Sequence, residues 1–141
     1  MLDFLTGAVL GLHLASVHFP AEPYHHNVNP GAYVVFPQGV AVGAYHNSLG
    51  RTSAYMGKVL DFSPFALTVG VVSGYQKVYS TGRCANGKWG TAEQPCTYGM
   101  SRGALSPMLT PSVLLGGCVR LSLVLGIQAS SAVHLSIEGT I

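Results

Sequence analysis

The segment CVRLSLVLGIQASSAVHLSIEG, residues 118–139, decides the fold. In its second half Val133, Leu135 and Ile137 alternate with His134, Ser136 and Glu138; in its first half Leu121, Leu123 and Leu125 alternate with Arg120 and Ser122. Successive residues of a strand point to opposite sides of a sheet, so each run carries one greasy face and one polar face. No long stripe of helical period occurs anywhere in the chain. Gly or Pro interrupts nearly every place where a helix would have to continue.

The same pattern extends outward from this segment. Near the start, Leu10, Leu12 and Leu14 oppose Gly11, His13 and Ala15. Strand signals fall at about 8–18, 32–36, 39–46, 52–60, 65–78, 105–115, 118–127 and 132–139,. The expected fold is all-β: about eight antiparallel strands in a closed or nearly closed small barrel, forming a single β domain over residues 1–141,. Two connections are long. FPAEPYHHNVNPG is rich in Pro and Asn, and STGRCANGKWGTAEQPCTYGMSRG forms a long Gly-rich loop near 80–103, of the kind that often serves as a lid or binding loop,.

Composition narrows the function classes. Only 9% of the 141 residues are charged, against roughly 25% in soluble proteins. The net charge of +2 is spread over single Lys and Arg residues, which argues against a surface that tracks a long nucleic acid,. Asp3 stands where a signal peptide would be basic, and His13 and His18 interrupt the first apolar run,. The chain is therefore expected to lack an export signal. Cys84 and Cys96 bracket the Gly-rich loop and could pair only in an oxidising compartment, and no Cys-x-x-Cys pattern suggests zinc,. No cofactor or metal is expected; His25 and His26, near Glu22, read as a solvated loop.

Alternating faces admit two architectures. In a soluble barrel the greasy face is the core, whereas in an outer-membrane barrel it meets lipid and the polar face lines the interior. The missing signal and the short, Pro-broken AYVVFP favour the soluble form and a cytoplasmic location, with membrane partnership not expected,. Homo-oligomerisation is left open.

The candidate chemistry sits on the polar faces. His134, Ser136 and Glu138 occur two residues apart on one strand, close enough to converge on one substrate,. His13, between Gly11 and Ala15, has room above the sheet, and in a closed barrel the first and last strands pair. His13 and His134 would then lie together as general acid and base, the usual means of cleaving a phosphodiester without metal. Ser136 and Arg120 would contact phosphate, with Arg51 the other strand-associated guanidinium,. Along GAYHNSLGRTSAYMG, residues 43–57, Tyr45, Asn47, Ser53 and Tyr55 supply rings and hydrogen-bonding groups suited to a nucleobase,. Catalytic candidates are thus His13, His134 and Ser136. Ligand-binding candidates are Tyr45, Asn47, Arg51, Ser53, Tyr55, Arg120 and Glu138.

GLHLASVHF, NPGAYV, GAYHNSLGRTSAYMG, LTVGVVSGY, SPMLTPSV and RLSLVLG followed by VHLSIE resemble the ordered blocks of a group of small β-rich proteins encoded by bacteriophages and prophages. The resemblance implies a phage-gene context, a host-cytoplasm location and an anti-defence role. His134-Leu-Ser136 also resembles the His-x-Ser/Thr motif of two-histidine phosphoesterases, although the first copy reads His13-Leu-Ala15. Together these set the leading expectation: metal-independent hydrolysis of a cyclic nucleotide immune signal, with a small nucleotide as ligand. One alternative is a non-catalytic nucleotide sponge. The other is an outer-membrane β-barrel with lipid-modifying activity, since His-x-Ser with a nearby Glu resembles lipid A deacylase chemistry.

Overall fold

The computed structural model describes residues 6–19, 21, 25–74, 78–80, 98–100, 105–125 and 131–141. Eight strands close into an antiparallel barrel: β1 (Val9–Phe19), β2 (Val28–Val35), β3 (Val40–His46), β4 (Thr52–Phe62), β5 (Phe65–Val72), β8 (Ser106–Leu115), β9 (Val119–Leu125) and β10 (Ser131–Thr140). Two short strands, β6 (Val78–Ser80) and β7 (Tyr98–Met100), pair with each other between β5 and β8. Neighbouring barrel strands are also neighbours in sequence, except that β8 pairs with β5 and β10 returns to β1. The Gly-rich loop near 80–103, with Cys84 and Cys96, lies largely outside the described residues, as does Glu22.

Most expected strands are present, with two shifted limits. β2 starts earlier, at Val28, and runs through Pro30; β5 stops at Val72. Pro30 is tolerated because the side chain of Asn29 stands in for lost ladder bonds, its Nδ2 donating to the carbonyls of His46 (3.1 Å) and His26 (3.2 Å),.

The polarity of the barrel is inverted relative to a soluble protein. Leu12 is 51% exposed and Met56 58%, and Leu10, Val17, Val42, Val69, Leu109, Leu123, Leu125, Val133 and Ile137 also face outward. The buried positions hold Ser16, His18, Asn29, Ser53, Ser122, His134, Ser136 and Glu138, with Tyr33 and a few small apolar residues. An eight-stranded barrel has an interior just wide enough to be filled by side chains. Here polar side chains and rings do the filling, and glycines make room for them. A Cβ at Gly11 would sit 2.0 Å from the Tyr33 ring, and one at Gly43 2.6 Å from the Tyr55 ring. Each glycine therefore seats an aromatic ring from the neighbouring strand, as the register Gly11↔Tyr33 and Gly43↔Tyr55 requires,.

The ends of the barrel differ. At one end the connections are short: 36–39, 63–64 and 116–118. That end also holds Gly7 and Ile141, where Gly7 N–H donates to Ile141 O at 2.9 Å. At the opposite end the connections 20–27, 47–51, 73–105 and 126–130 are longer. Lys58, facing outward on β4, turns to the short-loop end and donates to the Gln38 carbonyl.

Candidate functional site

The inward faces of β1, β10 and β9 carry most of the titratable groups. Because β1 pairs with β10, His13 stands opposite Ser136 and Ser16 opposite His134. A bulge between His13 and Ala15 re-aims β1 there, turning Ser16 and His18 inward,. The two histidines meet across this seam, His13 Nδ1 to His134 Nε2, at 2.6 Å. Such a bond needs a hydrogen on one nitrogen and a lone pair on the other, so the pair cannot be doubly protonated and remain bonded. The other nitrogen of His13 contacts the Tyr55 hydroxyl at 3.0 Å.

Aromatic rings enclose this imidazole. The His13 centroid lies 4.8 Å from that of Tyr33, 5.1 Å from Tyr45, 5.8 Å from Tyr55 and 4.7 Å from His134. His13 thus occupies the centre of the interior, with Gly11 and Gly43 leaving space for the rings around it.

A second network lies closer to the short-loop end. Arg120 grips Glu138 in fork geometry, Nε to Oε1 at 2.5 Å and Nη2 to Oε2 at 3.0 Å. Its Nη1 donates to Ser112 Oγ at 2.8 Å. The Tyr33 hydroxyl donates to Glu138 and lies 3.2 Å from Ser136 Oγ. Burying a carboxylate among apolar strands is tolerable only when it is paired and hydrogen-bonded, and Arg120 with Tyr33 meets both conditions.

Toward the long-loop end, Ser16 donates to Asn29, and the His18 and His25 rings stack with centroids 4.3 Å apart. Among the described residues no group of three or more His, Cys, Asp or Glu could hold a metal ion.

The residues singled out in the sequence therefore divide. His13, Tyr45, Ser53, Tyr55, Arg120, His134, Ser136 and Glu138 all lie on inward positions. Asn47, fully buried, organises the β3–β4 turn instead: its Oδ1 accepts from the N–H groups of Leu49 and Arg51, and its Nδ2 donates to Ser53 Oγ and Gly74 O. Arg51 is exposed in that turn. Arg120 is engaged by Glu138, whose carboxylate bonds to Arg120 and Tyr33 rather than to either histidine among the described residues. Tyr33, Ser112 and the Asn29–Ser16 pair were not singled out. A usable signal existed for Tyr33, which shares a face with Gly31 in NPGAYV.

No protein-family model, curated protein or solved structure matches the chain. Among the described residues no helix is long and apolar enough to cross a membrane.

Proposed function

We propose that this protein is a lipid-embedded β-barrel of the outer-membrane type. The observation that carries the reading is the inversion of polarity: large apolar side chains cover the outside while the buried positions hold hydrogen-bonded polar groups. In water that exterior would be a continuous apolar patch far beyond the few hundred Å² a soluble monomer shows. In a bilayer the same surface is solvated, and closure of the sheet removes the open edges that hydrocarbon does not tolerate. Barrel strands of seven to eleven residues are close to the roughly 9–11 that a tilted strand needs to cross. Short turns at one end and longer loops at the other are also the usual asymmetry of such barrels.

Dilution from urea into buffer alone, and into buffer with phospholipid vesicles, tests this reading. Strand circular dichroism and a protease-resistant core are expected only with lipid. A folded, dispersed monomer in buffer overturns the proposal.

Within that setting, the interior cluster suits chemistry on a membrane lipid. Ser136 stands opposite His13 in the strand register, with its Oγ against the Tyr33 hydroxyl, and both His13 nitrogens are taken by His134 and Tyr55, so activating Ser136 requires the imidazole to release one of these partners. Fatty acid released from defined phospholipid by the reconstituted protein, and lost in Ser136→Ala, is the expected signature. The phosphodiesterase reading is favoured by one observation, the meeting of His13 and His134. Their direct contact, however, leaves no place for a phosphate between the two bonded nitrogens. Linear product from a cyclic dinucleotide in EDTA would decide for that reading.

A further inference from the structure

Tyr55, His13 and His134 form one hydrogen-bonded chain, and a single hydrogen sets the direction of every bond in it. The Tyr55 hydroxyl meets His13 Nε2 at 3.0 Å, and His13 Nδ1 meets His134 Nε2 at 2.6 Å. Tyr55 stands opposite Gly43 in the register, and its hydroxyl has no second partner among the described residues. Burial pushes the pKa of this phenol up, with Tyr33 and Glu138 adding to the effect, so the group keeps its hydrogen,. If the hydroxyl accepted from His13, that hydrogen would be left unpaired inside the barrel, which is costly. Tyr55 therefore donates.

The rest follows from what an imidazole can carry. A neutral ring has one N–H and one lone pair. Both rings are neutral near pH 7, because burial lowers the pKa of each, helped by His134 in the case of His13 and by His18 in the case of His134,. His13 Nε2 accepts from Tyr55, so its hydrogen is on Nδ1 and is donated to His134 Nε2. The hydrogen of His134 is then on Nδ1, and the chain ends there on an N–H. His134 is 7% exposed, and its Nδ1 has no acceptor among the described residues. Its register neighbours are Ser16 and Ser122, and Ser16 turns its own hydrogen toward Asn29. Arg120 and Glu138, the charged pair of the same interior, are bonded to each other. A buried donor without an acceptor calls for an explanation. Hydrogen bonds in series also polarise one another, which strengthens the donor at the end of the chain.

We propose that Tyr55 is a positioning residue which, through His13, fixes His134 as a neutral N–H donor to the carbonyl oxygen of a lipid ester. The identity of the ligand rests on the reading of this chain as a lipid-embedded barrel; the direction of the hydrogen-bond chain does not. The oxygen comes along the barrel axis from the long-loop end, since His134 lies near that end of β10, which begins at Ser131. A carbonyl fits because it only accepts, and this nitrogen only donates. His134 then polarises the ester instead of taking a proton from it.

Nuclear magnetic resonance of the full chain, isotope-labelled at its histidine nitrogens and folded in dodecylphosphocholine micelles, tests both parts. The micelles contain no carbonyl, and protonated and bare imidazole nitrogens resonate far apart. Both His13 and His134 are expected to carry hydrogen on Nδ1. Hydrogen on Nε2 of His134 in the folded parent chain overturns the proposal. In Tyr55→Phe both rings should gain the Nε2–H form, and a variant that stays wholly Nδ1–H overturns the role of Tyr55. Incorporation of 3-fluorotyrosine at position 55, a more acidic phenol of nearly the same size, reads the same contact without removing the hydroxyl. It should shift His13 Nε2 and, through it, His134; unmoved signals overturn the relay. Dihexanoylphosphatidylcholine added to the parent chain should shift the His134 Nδ1 signal, whereas its dihexyl ether analogue should not. An equal response to both overturns the ester as ligand and leaves the barrel intact. A chain that folds in buffer and not in micelles overturns the embedded barrel, and the tautomers read in buffer then decide the direction of the chain by themselves.

Discussion

At the scale of single residues, the interior is held by charges and hydroxyls that satisfy one another. Glu138 is the most demanding of them, since it sits in the barrel with Arg120 and Tyr33 as its partners. Replacing one member of a buried ion pair strands the other. Glu138→Leu is therefore expected to destabilise the folded barrel by about 3–5 kcal/mol, and Arg120→Met combined with it to recover most of that loss. Urea unfolding in vesicles measures both, and a single variant as stable as the parent would show that Arg120 reaches water. Several of these contacts were foreshadowed by the sequence: the two-residue spacing of His134, Ser136 and Glu138 places them on one face whatever that face meets. Their partners were not. Whether Glu138 would orient a histidine or bind Arg120 depends on the stagger between β9 and β10, which no local pattern encodes. Asn47 and Arg51 shared the odd-numbered spacing of Tyr45 and Tyr55, yet they lie in the turn, where alternation no longer assigns a side.

At the scale of strands, period-two alternation made eight segments visible but was silent about which face is inside. The same pattern serves a soluble core and its inverse. What separates them is the solvent of each face, and an eight-stranded barrel can be filled by Val and Leu as well as by polar groups. Gly11, Gly31, Gly43, Gly57 and Gly70 all lie on the polar-side positions, a compositional trace of the inside that is visible in the sequence. Met56 on β4 offers a direct check of the outer surface. Its neighbours across the strands are Val42 and Val71, which places it well within the apolar band. Met56→Arg is expected to cost about 2–4 kcal/mol if that band lies in the bilayer midplane, whereas an ordinary exposed substitution stays within about 0.5 kcal/mol. The comparison by equilibrium unfolding therefore reports the solvent of this surface.

At the scale of the whole molecule, the contrast between short turns and long loops gives the barrel a direction. Cys118 lies exposed in the turn between β8 and β9, at the short-turn end. In a barrel of the outer-membrane type that end faces inward, away from the medium. With Cys84 and Cys96 changed to Ser, a membrane-impermeant maleimide added to intact cells should leave Cys118 unlabelled until the outer membrane is permeabilised. Immediate labelling would mean the opposite orientation.

The seam joining β1 to β10 also governs how this molecule can come into being. His13 and His134 meet although 121 positions separate them along the chain, and the ring closes only when the strands between β1 and β10 have also paired in turn. Until then β1 and β10 are free edges, able to pair with another chain as readily as with each other. Contacts so distant in sequence form slowly. Assembly is accordingly a race between ring closure and intermolecular pairing, and its hazard is greatest at the last step rather than the first.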